Sequence, residues 1–86
     1  MSYQASLSTE ARKTLNKLDR TLSGLIVKRL EELHQDPLNP HLSRQMETDP
    51  ESRYSRVGDW RIIYQVEEET QTINITAIRP RSRAYR

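Results

Sequence analysis

Eighty-six residues, 34% of them apolar and none of them Phe, are enough for one domain with a small core. A chain of this length buries only about 60% of its unfolded surface, which leaves room for a stabilising partner. The absence of cysteine excludes disulfides, thiolate metal sites and a cysteine nucleophile, and fits a reducing compartment. The N-terminal stretch has no apolar core of about seven residues, as a signal peptide would. No apolar run approaches the roughly 18 residues of a membrane span. The expectation is a cytoplasmic protein that does not enter a membrane.

Net charge is +2, and its distribution is uneven. Residues 1–52 carry seven basic and eight acidic groups; residues 53–86 carry seven basic and four acidic groups. Every basic residue of the second part is arginine, whereas all three lysines come earlier. Guanidinium offers a rigid fork of donors that matches phosphate and keeps its charge at any physiological pH. The last third therefore reads as a surface for RNA or for an acidic partner.

The elements follow in chain order. Tyr3 to Leu7 alternates and predicts a short strand. Ser8 stands where a helix N-cap should, and Ala11, Leu15 and Leu18 form one stripe of a short helix. Asp19 caps a second helix, whose stripe is Leu22, Ile26, Leu30 and Leu33; Asp36-Pro37 stops it. Residues 37–52 read as a connection anchored by Leu38, Leu42 and Met46, with a short ordered piece near His41–Arg44. The second strand is expected at Tyr54–Val57, and Gly58-Asp59 is a hairpin turn. The third, Trp60–Glu67, places Trp60, Ile62, Tyr64 and Val66 on one face and Arg61, Ile63 and Gln65 on the other. Glu68 to Gln71 forms the next hairpin loop. The fourth strand, Thr72–Arg79, directs Ile73, Ile75 and Ala77 to the helices and ends at Pro80. The fold class is α+β, ordered β-α-α-β-β-β, with a two-helix hairpin on a mainly antiparallel four-stranded sheet.

Two segments carry a family resemblance. Arg56-Val57-Gly58-Asp59-Trp60-Arg61-Ile62-Ile63-Tyr64 is similar to the R-V-G-D-[YW]-R-x-x-Y segment of the RelE/ParE toxin superfamily of toxin–antitoxin modules. The ending Arg81-Ser82-Arg83-Ala84-Tyr85-Arg86 resembles the closing R-S-x-x-Y-R of its RelE-like members. The resemblance spans nearly the whole chain and implies a ribosome-dependent messenger RNA endonuclease. Its partners would be a cognate antitoxin, the ribosomal A site and the mRNA, and the toxin–antitoxin complex is expected to be higher-order. In such an enzyme the ribose 2′-OH attacks its neighbouring phosphate and the 5′-oxygen leaves. That step needs a base, charge stabilisation at phosphorus, and an acid.

Carried over residue by residue, the resemblance implies catalytic roles for Arg56, Arg61, Arg81 and Tyr85, and RNA-binding roles for Arg53, Tyr54, Arg79 and Arg83. Members often carry a basic residue where Tyr54 stands and a histidine where Pro80 stands, so the general base is left unassigned. Trp60 and Tyr64 share a face with Ile62 and Val66 and read as core. Tyr54 either stacks a base or covers the core. His34 and His41 have no companion at ligand spacing, so no metal and no cofactor is expected. Two other functions stay open: a ParE-like inhibitor of DNA gyrase, and a non-catalytic module that binds RNA or a protein partner.

Overall fold

The computed structural model describes residues 3–81. Its elements are β1 (Gln4–Leu7), α1 (Thr9–Lys17), α2 (Arg20–Gln35), β2 (Arg44–Gln45), β3 (Arg53–Val57), β4 (Trp60–Glu67) and β5 (Thr72–Pro80). Both helices start where the sequence marks them. Ser8 Oγ accepts from the Ala11 N–H at 3.0 Å, and Asp19 Oδ1 accepts from the Leu22 N–H at 2.7 Å. The five strands form one sheet in the order β1-β5-β4-β3-β2. Only the β1–β5 pair is parallel; the others are antiparallel. Gly58 turns β3 into β4 with φ +59°, a conformation that an L side chain adopts at a cost. No helix among the described residues is long and apolar enough to cross a membrane.

The predicted four-stranded sheet gains a fifth member, the two-residue β2, which pairs Arg44 with Tyr54 and Gln45 with Arg53. The predicted second strand begins one residue early, at Arg53, and the fourth runs one residue further, to Pro80. The helices cover one face. Their Ala11, Ile26 and Leu33 meet Val57, Ile62, Tyr64, Ile73, Ile75 and Ile78, with Trp60 and Val66 partly buried at the margin. Ala77 was expected among them and is not there. A bulge sets Ile63 opposite Ala77 and Tyr64 opposite Ile75, so Thr76 is the extra residue. Strand parity reverses beyond it: Ile78 enters the main core, while Ala77 joins Met46, Ile63 and Tyr54 in a second cluster on the opposite face. Leu38 is not an anchor, because it stands 47% exposed. The connection is held instead by Leu42 against the main core, Met46 in the second cluster, and the buried Pro37 and Ser43.

Candidate functional site

The face of the sheet away from the helices carries Arg56, Arg61 and Arg79. Register pairs Arg56 with Arg61 across β3 and β4, and Arg61 with Arg79 across β4 and β5. Three residues of like charge thus stand in one cross-strand row, an arrangement that is unfavourable by itself and favourable once an anion lies across it. Arg61 is 5% exposed, and its guanidinium carbon lies 4.5 Å from the centroid of the Tyr54 ring. The ring face attracts the cation and fixes its plane. Of the two roles left open for it, Tyr54 takes the covering one, its ring packing into the second apolar cluster while its face carries the Arg61 guanidinium.

Beside the row, a cavity of about 450 Å³ opens between the edge of β3 and the loop before β2. Arg29, His41, Arg44, Tyr54, Arg56 and Arg61 reach it, together with Pro40, Leu42 and Ser43. The loop forming its outer wall is stitched to the sheet by buried and half-buried polar groups. Tyr64 OH donates to the Pro37 carbonyl at 2.6 Å, and Ser55 Oγ donates to the Leu42 carbonyl at 2.7 Å. Arg53 Nε donates to Ser43 Oγ at 3.0 Å, and its Nη2 to the Ser43 carbonyl at 3.3 Å. Burial pushes the Tyr64 hydroxyl above the usual tyrosine range. Arg29 ties α2 to the same edge, its Nη1 donating to Ser55 Oγ at 2.9 Å and to the Arg56 carbonyl at 2.8 Å.

The sequence-predicted residues thus divide. Arg56, Arg61 and Tyr54 come together at the cavity. Arg53 stands on the helix side and serves the loop, as strand alternation requires. Arg79 lies in the row but leans to the β5 edge, where its Nε donates to Glu10 Oε2 at 2.9 Å and its Nη2 to Glu10 Oε1 at 3.2 Å. That bidentate bond holds the Glu10 carboxyl below the usual glutamate range and Arg79 above its own. Arg81 is exposed just past β5, its N–H donating to the Asp59 carbonyl at 2.7 Å. Arg83 and Tyr85 lie outside the described residues.

Arg29, His41 and Arg44 are the residues that sequence reasoning missed. One signal existed for Arg29: it follows Ile26 by three positions and precedes Leu33 by four, so it borders the buried stripe of α2. Nothing comparable marks His41 and Arg44, whose placement depends on Arg53, Tyr54, Ser55 and Tyr64 from later strands.

Solved structures with this architecture include chains of toxin–antitoxin complexes. The chain is similar to the toxin of the RelBE2 toxin–antitoxin complex of Mycobacterium tuberculosis, with TM-score 0.81 and 23% identity, over 94% of this chain and 100% of that one. It is equally similar to a chain of the archaeal RelE–RelB complex of Pyrococcus horikoshii OT3, with TM-score 0.81 and 24% identity, over 98% and 100%. A chain of the intact E. coli RelBE complex gives TM-score 0.81 and 20% identity, over 92% and 96%. The fold is therefore the RelE-type toxin fold, and it carries an arginine row on its open face. No curated protein matches the sequence. Residues 5–85 match the family model described as the ParE toxin of the type II toxin–antitoxin system, parDE, and the chain belongs to that family, within the RelE/ParE superfamily.

Proposed function

We propose that this toxin acts in the cytoplasm by cutting messenger RNA on the ribosome, and that a cognate antitoxin silences it. The observation that carries this reading is the row Arg56–Arg61 at the rim of the cavity, with Arg61 held against Tyr54. A phosphorane gains negative charge as the 2′-oxygen attacks, and preorganised guanidinium donors stabilise that charge without reorganising. Arg56 and Arg61 would take the phosphate oxygens. Arg81 and Tyr85 would close on the leaving oxygen from the tail. Arg53, Arg79 and Arg83 would add to the field that draws the RNA in, with Arg79 first having to release Glu10. Alignment of the substrate would come from the ribosome, because guanidinium positions and stabilises far better than it accepts protons.

The family match to ParE supports a second reading, inhibition of DNA gyrase. Primer extension on a translated message after pulse expression separates the two. Cuts at fixed codon positions that disappear in Arg81→Ala support mRNA cleavage. Intact messages with induced DNA damage signalling and trapped gyrase–DNA complexes support the gyrase reading and refute cleavage.

The antitoxin reading has its own motive in the surplus of arginine over acidic groups from Arg53 onward. An acidic antitoxin segment lying across the row would relieve its like-charge repulsion and block the phosphate site in one step. Toxin–antitoxin affinity is then expected to fall steeply with salt, and a flat salt dependence would count against it.

A further inference from the structure

The cavity beside Arg56 and Arg61 holds abundant positive charge, yet the mRNA-cleavage reading leaves its general base unassigned. The described residues that line it include four arginines and no carboxylate. Arginine keeps its proton throughout the physiological range and a free phenol to ~10, so neither type accepts a proton readily near neutrality. One lining residue has the chemistry that is missing. His41 carries an imidazole, the side chain that most often serves as a general base.

Its position is built into the fold. The His41 N–H donates to Asn39 Oδ1 at 2.8 Å, and the Leu42 and Ser43 N–H groups both donate to the Asn39 carbonyl at 3.0 Å. The buried bond from Tyr64 to Pro37 and the partly buried ones from Ser55 to Leu42 and from Arg53 to Ser43 hold the same short loop on both sides of His41. A stiff loop thus presents an exposed imidazole to the cavity that Arg56 and Arg61 enter. The other histidine, His34, belongs to the last turn of α2 and does not line the cavity.

We propose that His41 is the catalytic residue that accepts the 2′-OH proton, a role that rests on the mRNA-cleavage reading. The neutral imidazole takes that proton as the 2′-oxygen bonds to phosphorus. The P–O5′ bond breaks with its electron pair going to the 5′-oxygen, which takes a proton from water. The imidazolium returns its proton to the solvent. The products are a 2′,3′-cyclic phosphate and a 5′-hydroxyl, and no other reactant is consumed.

The test is single-turnover cleavage of a message on programmed ribosomes by the full chain, comparing wild type with His41→Ala, His41→Gln and Arg61→Ala. His41 is exposed, so its variants should melt with wild type, and ribosome half-saturation should hold steady. Both His41 variants should cut about 10²–10⁴-fold more slowly. Added imidazole should restore His41→Ala by roughly tenfold or more and leave Arg61→Ala unchanged. Cleavage by His41→Ala within about threefold of wild type overturns the assignment. A slow His41→Ala that imidazole does not move also overturns it, since the loss is then one of position and not of proton transfer. Intact messages with the wild-type protein overturn the cleavage reading itself and this role with it, so the two failures are told apart by the wild-type lane.

Discussion

Replacing Tyr64 by Phe tests whether the cavity wall is held as described. The side chain is completely buried, and its hydroxyl donates to the Pro37 carbonyl at 2.6 Å. That carbonyl also accepts from Ser43 Oγ at 3.3 Å, so the variant leaves it a remaining partner. The loss is therefore that of one buried hydrogen bond, about 1 kcal/mol, and not the larger cost of an orphaned group. For a domain of this size about 1 kcal/mol lowers Tm by roughly 4–8 °C. The effect has a pH signature. Burial raises the Tyr64 hydroxyl above its unfolded value near ~10, so its contribution is complete below that value and is lost as pH rises through the folded one. Thermal melts by circular dichroism should show the wild-type advantage at neutral pH and a narrowing gap above about pH 10. Tyr3, raised by burial and by the Glu68 carboxylate, is present in both proteins and cancels from the difference. Cleavage measured well below both melting points should fall roughly tenfold, because the loop that presents His41 loses a tether. Equal melting at neutral pH, or a gap that stays constant into the alkaline range, would refute the reasoning.

Other expectations follow from the same contacts. Arg61→Met should lose about 10²–10³-fold in cleavage, because a thioether chain offers no donors to the phosphorane; the single-turnover assay checks it. Glu10→Gln should cost less than about 1 kcal/mol, since both partners of the Arg79 pair are well exposed. Glu10 is depressed in the fold, so its contribution is present above the unfolded glutamate value and lost as pH falls through the folded one. Acid titration of stability should be flatter in Glu10→Gln than in wild type. Gly58→Ala should destabilise by about 1–2 kcal/mol in chemical denaturation, because its φ of +59° penalises a Cβ although nothing lies within 4 Å of one. Ser8→Ala should cost about 1–2 kcal/mol by the same measurement, since one hydroxyl caps α1 and donates to the Thr76 carbonyl.

Local signals carried much of the fold. Ser8 and Asp19 announce their helices because a cap bond spans only three residues. Trp60 to Val66 announces its faces because strand alternation is likewise local. Arg56 and Arg61 could be paired from the intervening turn, since Gly58 fixes the hairpin register. His41 could not be placed that way. Its position depends on Tyr64, Ser55 and Arg53, all from strands later in the chain, and on a two-residue strand too short for any periodic pattern.

The bulge at Thr76 was equally hidden, and it decides the composition of the site. Unbroken alternation along β5 would carry Ala77 and Arg79 to the helix face with Ile73 and Ile75, burying a cation under α1. The extra residue reverses that parity, sends Ile78 inward and brings Arg79 opposite Arg61. It is held from both sides. Thr76 Oγ1 donates to the Ile63 carbonyl at 3.2 Å, and the Thr76 carbonyl accepts from Ser8 Oγ at 2.7 Å. Ser8 also sends its N–H to the Ile75 carbonyl at 2.9 Å while capping α1. One N-terminal serine thereby sets the start of a helix and fixes the register shift that extends the arginine row across three strands. The row is then coupled to packing on the helix side, because α1 cannot leave the sheet without releasing both Ser8 and the Glu10 grip on Arg79. A partner that displaced α1 would change the charge at the far end of the row without touching Arg56 or Arg61.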